Sequence, residues 1–184
     1  MLTSRLRLAT REDIPALSAL IDRSVRALHS DDYTPAQIES GLASAYGVDT
    51  TLIDDGTYFV LEVDGAIVAA GGWSKHKTLC GGDGSLGRDD ALLDPRVDAA
   101  KIRAFYVDPG SVRRGFGSLL LDACETAARD AGFTRFEMGA TLPGVRLYER
   151  RGYLAVENMT TMLPDGEGLP VVRMVKDDAT TSTR

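Results

Sequence analysis

The stretch Val112-Arg113-Arg114-Gly115-Phe116-Gly117-Ser118 combines two cations with two glycines, just where an apolar run over residues 101–107 gives way to a helical pattern. A helix N-terminus leaves backbone N–H groups unpaired and carries a partial positive charge. Glycines at 115 and 117 permit close approach of a ligand to that backbone. Strand, glycine-rich turn and helix together make an anion site suited to a diphosphate. Two nucleotide patterns do not fit it. A dinucleotide site requires a third glycine where Leu120 stands, and a triphosphatase loop requires a lysine after Gly117, where the chain has Ser118. The histidines and cysteines, His29, His76, Cys80 and Cys124, lack metal-ligand spacing, so no metal is expected. Cys124 falls on the apolar side of a helix and reads as an inert core thiol.

The elements that position this loop follow from periodicity and punctuation. Residues 5–9 alternate and read as a strand. Thr10 and Asp13 open a helix with Ile14, Leu17, Leu20, Ile21, Val25 and Leu28 on one face. Thr34, Pro35 and Gln37 start a second helix, which carries Ile38, Leu42 and Tyr46 and ends at Gly47. Runs 57–63 and 66–73 flank Asp64-Gly65, a hairpin signal. Residues 74–100 are glycine-rich and without period, a long connection of the kind that is usually functional or mobile. Strand 101–107, helix 115–130, strand 133–139, short helix 144–151, and strands 153–163 and 171–176 complete a single domain over residues 1–176. Residues 177–184 read as a flexible tail. The expected class is α/β (α+β), a mixed sheet with helices on both faces.

Further along, Ala140-Thr141-Leu142-Pro143-Gly144-Val145-Arg146-Leu147-Tyr148-Glu149-Arg150-Arg151-Gly152-Tyr153 carries the pattern Leu-Tyr-Glu-x-x-Gly-Phe/Tyr. With the upstream loop, which follows the pattern Gln/Arg-x-x-Gly-x-Gly/Ala, and one strand between them, the chain resembles the GNAT superfamily of N-acetyltransferases. The resemblance implies a mostly antiparallel sheet of about seven strands, splayed between the fourth and fifth, and acetyl-CoA as co-substrate. It implies that Val112, Arg113, Arg114, Gly115, Phe116, Gly117 and Ser118 hold the diphosphate of CoA. It implies too that the backbone of Phe105, Tyr106 and Val107 holds the pantetheine arm, with one N–H polarising the thioester carbonyl. Val112 departs from the usual Gln or Arg, and Thr141 stands where the family often has Asn, keeping one hydrogen bond of the two.

The implied reaction is direct attack of an amine on the thioester in a ternary complex. Tyr148 matches the family tyrosine that protonates the departing thiolate, and a phenol is protonated at neutral pH. No single general base emerges: Glu62, Glu137 and His76 are candidates by position. Tyr33 and His29, between the first two helices, together with Trp73 and Glu137, are placed on the acceptor side.

Three functions share these motifs: acetylation of a small-molecule primary amine, acetylation of a protein N-terminus or lysine, and acyl-CoA sensing without turnover. Tyr148 favours turnover. The 74–100 segment favours a small acceptor by closing a pocket, and suits a homodimer contact equally well. The chain has 184 residues, 43% hydrophobic and 26% charged, with a net charge of −6. Those values are globular, and the acidic balance argues against nucleic acid. No apolar run long enough for a membrane span and no secretory signal are visible, and two cysteines make no disulfide framework, so a cytoplasmic location is expected.

Overall fold

The computed structural model describes residues 3–178. Its seven strands form one sheet in the order β1-β2-β3-β4-β5-β7-β6. β1 (Ser4–Leu8), β2 (Tyr58–Val63), β3 (Ala66–Ser74) and β4 (Ala100–Val107) run antiparallel to one another; β5 (Arg135–Thr141) lies parallel to β4. β7 (Gly168–Asp177) and β6 (Leu154–Met162) complete the sheet antiparallel. The β2–β3 turn has Asp64 at φ 49° and Gly65 at φ 83°, the two left-handed residues of a type I′ hairpin.

One face of the sheet is covered by α4 (Phe116–Asp130) and α5 (Val145–Arg150), whose Leu121, Cys124, Ala128 and Tyr148 pack with Ile102, Phe136 and Met138. The other face receives α1 (Ile14–Leu28): Leu17 and Leu20 pack on Tyr58, Val60 and Ala70. Thr10 and Asp13 do form a capping box ahead of α1, and Arg7 pairs with Asp13 and Glu62, which draws the Asp13 carboxyl down to about 2. α2 (Pro35–Leu42) begins at Thr34 with the expected capping box.

Three differences from the sequence reading have local causes. α2 stops at Leu42 rather than at Gly47, because the chain folds back so that Tyr46 N donates to Gly41 O at 2.7 Å. The Tyr46 ring then occupies the space a Cβ on Gly41 would need, 2.5 Å away. A short helix, α3 (Thr50–Asp54), follows where none was expected. At the C-terminus, β7 extends through Asp177, and Asp178 pairs with Arg129 and donates its N–H to Thr134 O. These two residues, assigned to the tail, belong to the folded domain; residues 179–184 lie outside the described region.

The site is created by two irregularities in β4. The β4–β5 ladder consists of Ala100↔Phe136 and Lys101↔Glu137 and then stops, so the strands part beyond Lys101. Just past that point, register with β3 jumps between Ala70↔Tyr106 and Gly72↔Arg103. Gly71 therefore opposes both Ala104 and Phe105, a β-bulge, and Ala104 sits at φ 56°. A non-glycine residue there costs on the order of 1 kcal/mol. A Cβ on Gly71 would meet the Phe105 ring at 2.7 Å, so glycine at 71 is what lets the bulge seat that ring.

Candidate active site

The gap between β4 and β5 opens into two adjoining clefts. The larger, about 1660 Å³ including open solvent, is lined by the loop before α4, by Pro143, Gly144 and Leu147, and by Ser24 and Leu28 of α1. The smaller, about 730 Å³ by the same measure, lies between the diverging strands and is lined from Ile102 to Tyr106 on β4 and from Met138 to Thr141 on β5. His29, Phe105, Thr141 and Tyr148 line both, so the clefts meet at these four side chains.

The large cleft is built for an anion. Gly115 is the N-cap of α4 at φ 81°, with no capping side chain, and Arg113 is also left-handed at φ 61°. Phe116, Gly117 and Ser118, the first helical residues, have N–H groups without intrahelical partners and all line the cleft. Arg113 and Arg150 add positive charge, and no carboxylate is among the lining residues. Each glycine has its own reason. Gly115 supplies a backbone conformation, whereas a Cβ on Gly117 would strike Leu147 of α5 at 2.9 Å. Gly117 thus sets how closely α4 and α5 approach. Val112 lines the cleft as well, while Arg114 turns away and lies over the Phe116 ring at 4.8 Å. Val107 lines the cleft too, but its N–H is already taken by Ser24 Oγ at 3.3 Å.

At the junction, Tyr148 is 7% exposed and packs edge-on against Phe105, with ring centroids 6.2 Å apart. Burial pushes its phenol well above the ordinary tyrosine range, which keeps the proton on. His29 is 6% exposed, and its Nδ1 lies 3.2 Å from the Tyr46 hydroxyl. Burial draws its imidazole down to about 4, so the ring is neutral near pH 7.

Residues from distant segments complete the small cavity. The 74–100 connection sends Cys80, Gly81 and Gly82 to its wall, and Tyr46 comes from the turn after α2. Arg103 also lines it, 4% exposed, with a guanidinium nitrogen 2.6 Å from Asp49 Oδ2 and a further hydrogen bond to Gly81 O. A pocket wall from the 74–100 segment was expected, though not which residues form it; Arg103 and Tyr46 were not expected, since an arginine inside a strand and a tyrosine read as part of a helix carry no signal.

Several anticipated residues stand elsewhere. Trp73 is 5% exposed in the core against Phe133, with ring centroids 5.9 Å apart, and lines neither cleft. Glu137 sits where β4 and β5 are still paired, bound by Lys101 and Arg173, so it does not reach the gap. Tyr33 is a brace: its hydroxyl donates to Pro170 O at 2.6 Å and accepts from Leu142 N at 3.0 Å. Among the other base candidates, Glu62 is held by Arg7. His76 Nε2 lies 2.9 Å from Asp55 and Nδ1 2.7 Å from Asp90 O. Among the described residues no group of three or more His, Cys, Asp or Glu is arranged to hold a metal, and no helix is long and apolar enough to cross a membrane.

Comparison with solved structures places this arrangement. The chain is similar to a GCN5-related N-acetyltransferase from Rhodopseudomonas palustris, at 25% identity and a TM-score of 0.73, covering 95% of this chain and 96% of that one. The PaiA N-acetyltransferase from Thermoplasma acidophilum, solved in complex with coenzyme A, shares the fold at 13% identity and a TM-score of 0.69, covering 95% and 99%. So does a ribosomal-protein-alanine N-acetyltransferase from Brucella melitensis, at 17% identity and a TM-score of 0.61, covering 94% and 99%. No curated protein matches the sequence. The sequence signature of the Acetyltransferase (GNAT) family matches residues 22–153, from within α1 to the turn after α5 and so across both clefts, and the chain belongs to that family.

Proposed function

We propose that the protein transfers an acetyl group from acetyl-CoA to a primary amine of a small molecule within a ternary complex. The observation that carries this reading is that a carboxylate-free cleft under a helix N-terminus and a second, smaller cavity meet at Phe105, Thr141, Tyr148 and His29. A diphosphate fits the N–H groups of Phe116, Gly117 and Ser118, with Arg113 and Arg150 beside it. The pantetheine arm then runs along β4 toward Phe105, bringing its thioester to the junction. The amine enters from the small cavity.

In the reaction the amine nitrogen bonds to the acyl carbon, the C–S bond breaks, and the sulfur leaves with the bonding pair. Tyr148 gives that sulfur a proton, a role supported by its place at the junction and by burial, which keeps the phenol protonated. Backbone N–H groups at the β4 bulge stabilise the carbonyl oxygen as charge develops on it. Neutral His29, beside the Tyr46 hydroxyl, is the one titratable imidazole at the junction and the best-placed group to take a proton from the incoming amine, directly or through water. The walls contributed by Cys80, Gly81 and Gly82 favour a small acceptor over a protein segment.

Titration of the protein with acetyl-CoA, followed by a thiol-release assay across a panel of amines, tests the reading. Binding with turnover of a free amine supports it. Failure to bind acetyl-CoA overturns it, and turnover confined to peptide N-termini would replace the acceptor class.

A further inference from the structure

The small cavity carries one feature that a general amine site does not need. Its lining includes a buried cation, Arg103, and no carboxylate. Asp49, fully buried, lies 2.6 Å from one Arg103 nitrogen but also 3.2 Å from Arg88, so a single carboxylate serves two guanidiniums. Asp90, the other nearby acid, is exposed and lines no part of the cavity. The group is therefore left with one net positive charge; the Arg103 Nε–H is buried without an acceptor, and Asp49 Oδ2, although 2.6 Å from an Arg103 nitrogen, makes no well-aligned hydrogen bond. A buried donor left without a partner is costly, the more so when the group is charged. A site tolerates that when a ligand completes the hydrogen bonds. Arginine recognises a carboxylate specifically, because its planar fork matches two oxygens.

The geometry points to an acceptor that carries a carboxylate as well as its primary amine, with the carboxylate bound by Arg103. This deepens the acetyltransferase reading above and rests on it. Arg103 and Phe105 flank the Ala104 bulge on β4 and line the same cavity, so a compact molecule spans from the cation to the junction. Ile102, Met138, Leu169 and Val171 line the same cavity, which suits an aliphatic or aromatic body between the two polar ends. The acidic net charge of the whole chain does not oppose this, since the local charge at the cavity is positive.

Matched probes test it: L-leucine against L-leucinamide, and L-phenylalanine against L-phenylalaninamide, with kcat/KM read by thiol release. The amide's amine is the less basic of each pair and more of it is neutral, so chemistry alone favours the amide. The wild-type protein is expected to prefer the acid by about tenfold or more, since a site built around a hydrogen-bonded group rejects the analogue lacking it. R103M should bring the ratio to one or invert it while acetyl-CoA still raises the melting temperature, because Arg103 does not line the large cleft. R103K, which keeps the charge and loses the fork, should retain a reduced preference, and it decides the matter with the wild-type ratio if R103M does not fold. Turnover of amides or other uncharged amines as fast as of acids overturns this inference and leaves the acetyltransferase reading standing. Turnover of no amine at all, or no binding of acetyl-CoA, overturns both.

Discussion

Replacing Ser118 by glutamate separates ligand binding from folding at the α4 N-terminus. Ser118 is the third helical residue after the Gly115 cap, half-buried, and lines the large cleft. A carboxylate in a first helical turn is stabilising by about 0.3–1 kcal/mol. For a chain of this size that corresponds to a melting temperature higher by about 1–4 °C. The same carboxylate stands where the diphosphate is proposed to sit. At about 5 Å, two unit charges repel by about 0.8 kcal/mol in water and about 3.3 kcal/mol at an effective dielectric constant of 20. Two phosphate charges double the lower figure to about 1.6 kcal/mol, so the expected loss of acetyl-CoA affinity is at least about tenfold. S118E should therefore melt at or slightly above the wild-type temperature, with weakened binding by calorimetry and little ligand-induced thermal shift. S118Q, similar in size and uncharged, should lose much less. A folded S118E protein that binds acetyl-CoA within twofold of wild type would refute the anion-site assignment. Equal losses in S118E and S118Q would show obstruction rather than charge. Gly117 is a poorer place for the test, because a side chain there also collides with Leu147.

Other expectations concern the junction and the core. Tyr148→Phe should lower kcat more than tenfold at unchanged acetyl-CoA affinity; unchanged turnover in single-turnover kinetics would leave Tyr148 a packing residue. His29 has a folded-state pKa drawn down to about 4, below the unfolded value of about 6.5, so its contribution to stability is complete above pH 6.5 and lost as pH falls toward 4. That contribution is at most about 3 kcal/mol, and the difference in urea midpoint between wild type and His29→Gln should shrink across that window. A difference independent of pH there would contradict the buried neutral imidazole. Trp73→Phe should cost about 1–2 kcal/mol by urea denaturation, offset in part by removing an indole N–H that has no partner, and should leave kcat/KM unchanged. A large kinetic effect would restore Trp73 to the acceptor side.

Local chemistry determined a good deal of this protein by itself. Caps at Thr10 and Thr34, the Asp64-Gly65 turn, and the glycine loop opening α4 are governed by residues within one turn of each other, and each stands where the sequence indicates. The pairing of that loop with the Tyr148 segment was legible for the same reason: spacing along the chain is set by elements whose lengths the sequence fixes. The resemblance already put the split between the fourth and fifth strands; only the tertiary structure decided at which rung they part and how β4 bends there. The bulge uses Ala104, not glycine, in a left-handed conformation, and depends on Gly71 across the strand making room for Phe105. Nothing in either residue alone announces this. The split in turn decided that Glu137, beside the last paired rung, stays in an ion pair while Met138 and Thr141 reach the cavity. It also decided that Arg103, Tyr46 and Cys80, far apart in sequence, share one wall. Such contacts are fixed by the closure of loops tens of residues long, whose path depends on burial summed over the whole chain rather than on the residues that finally meet.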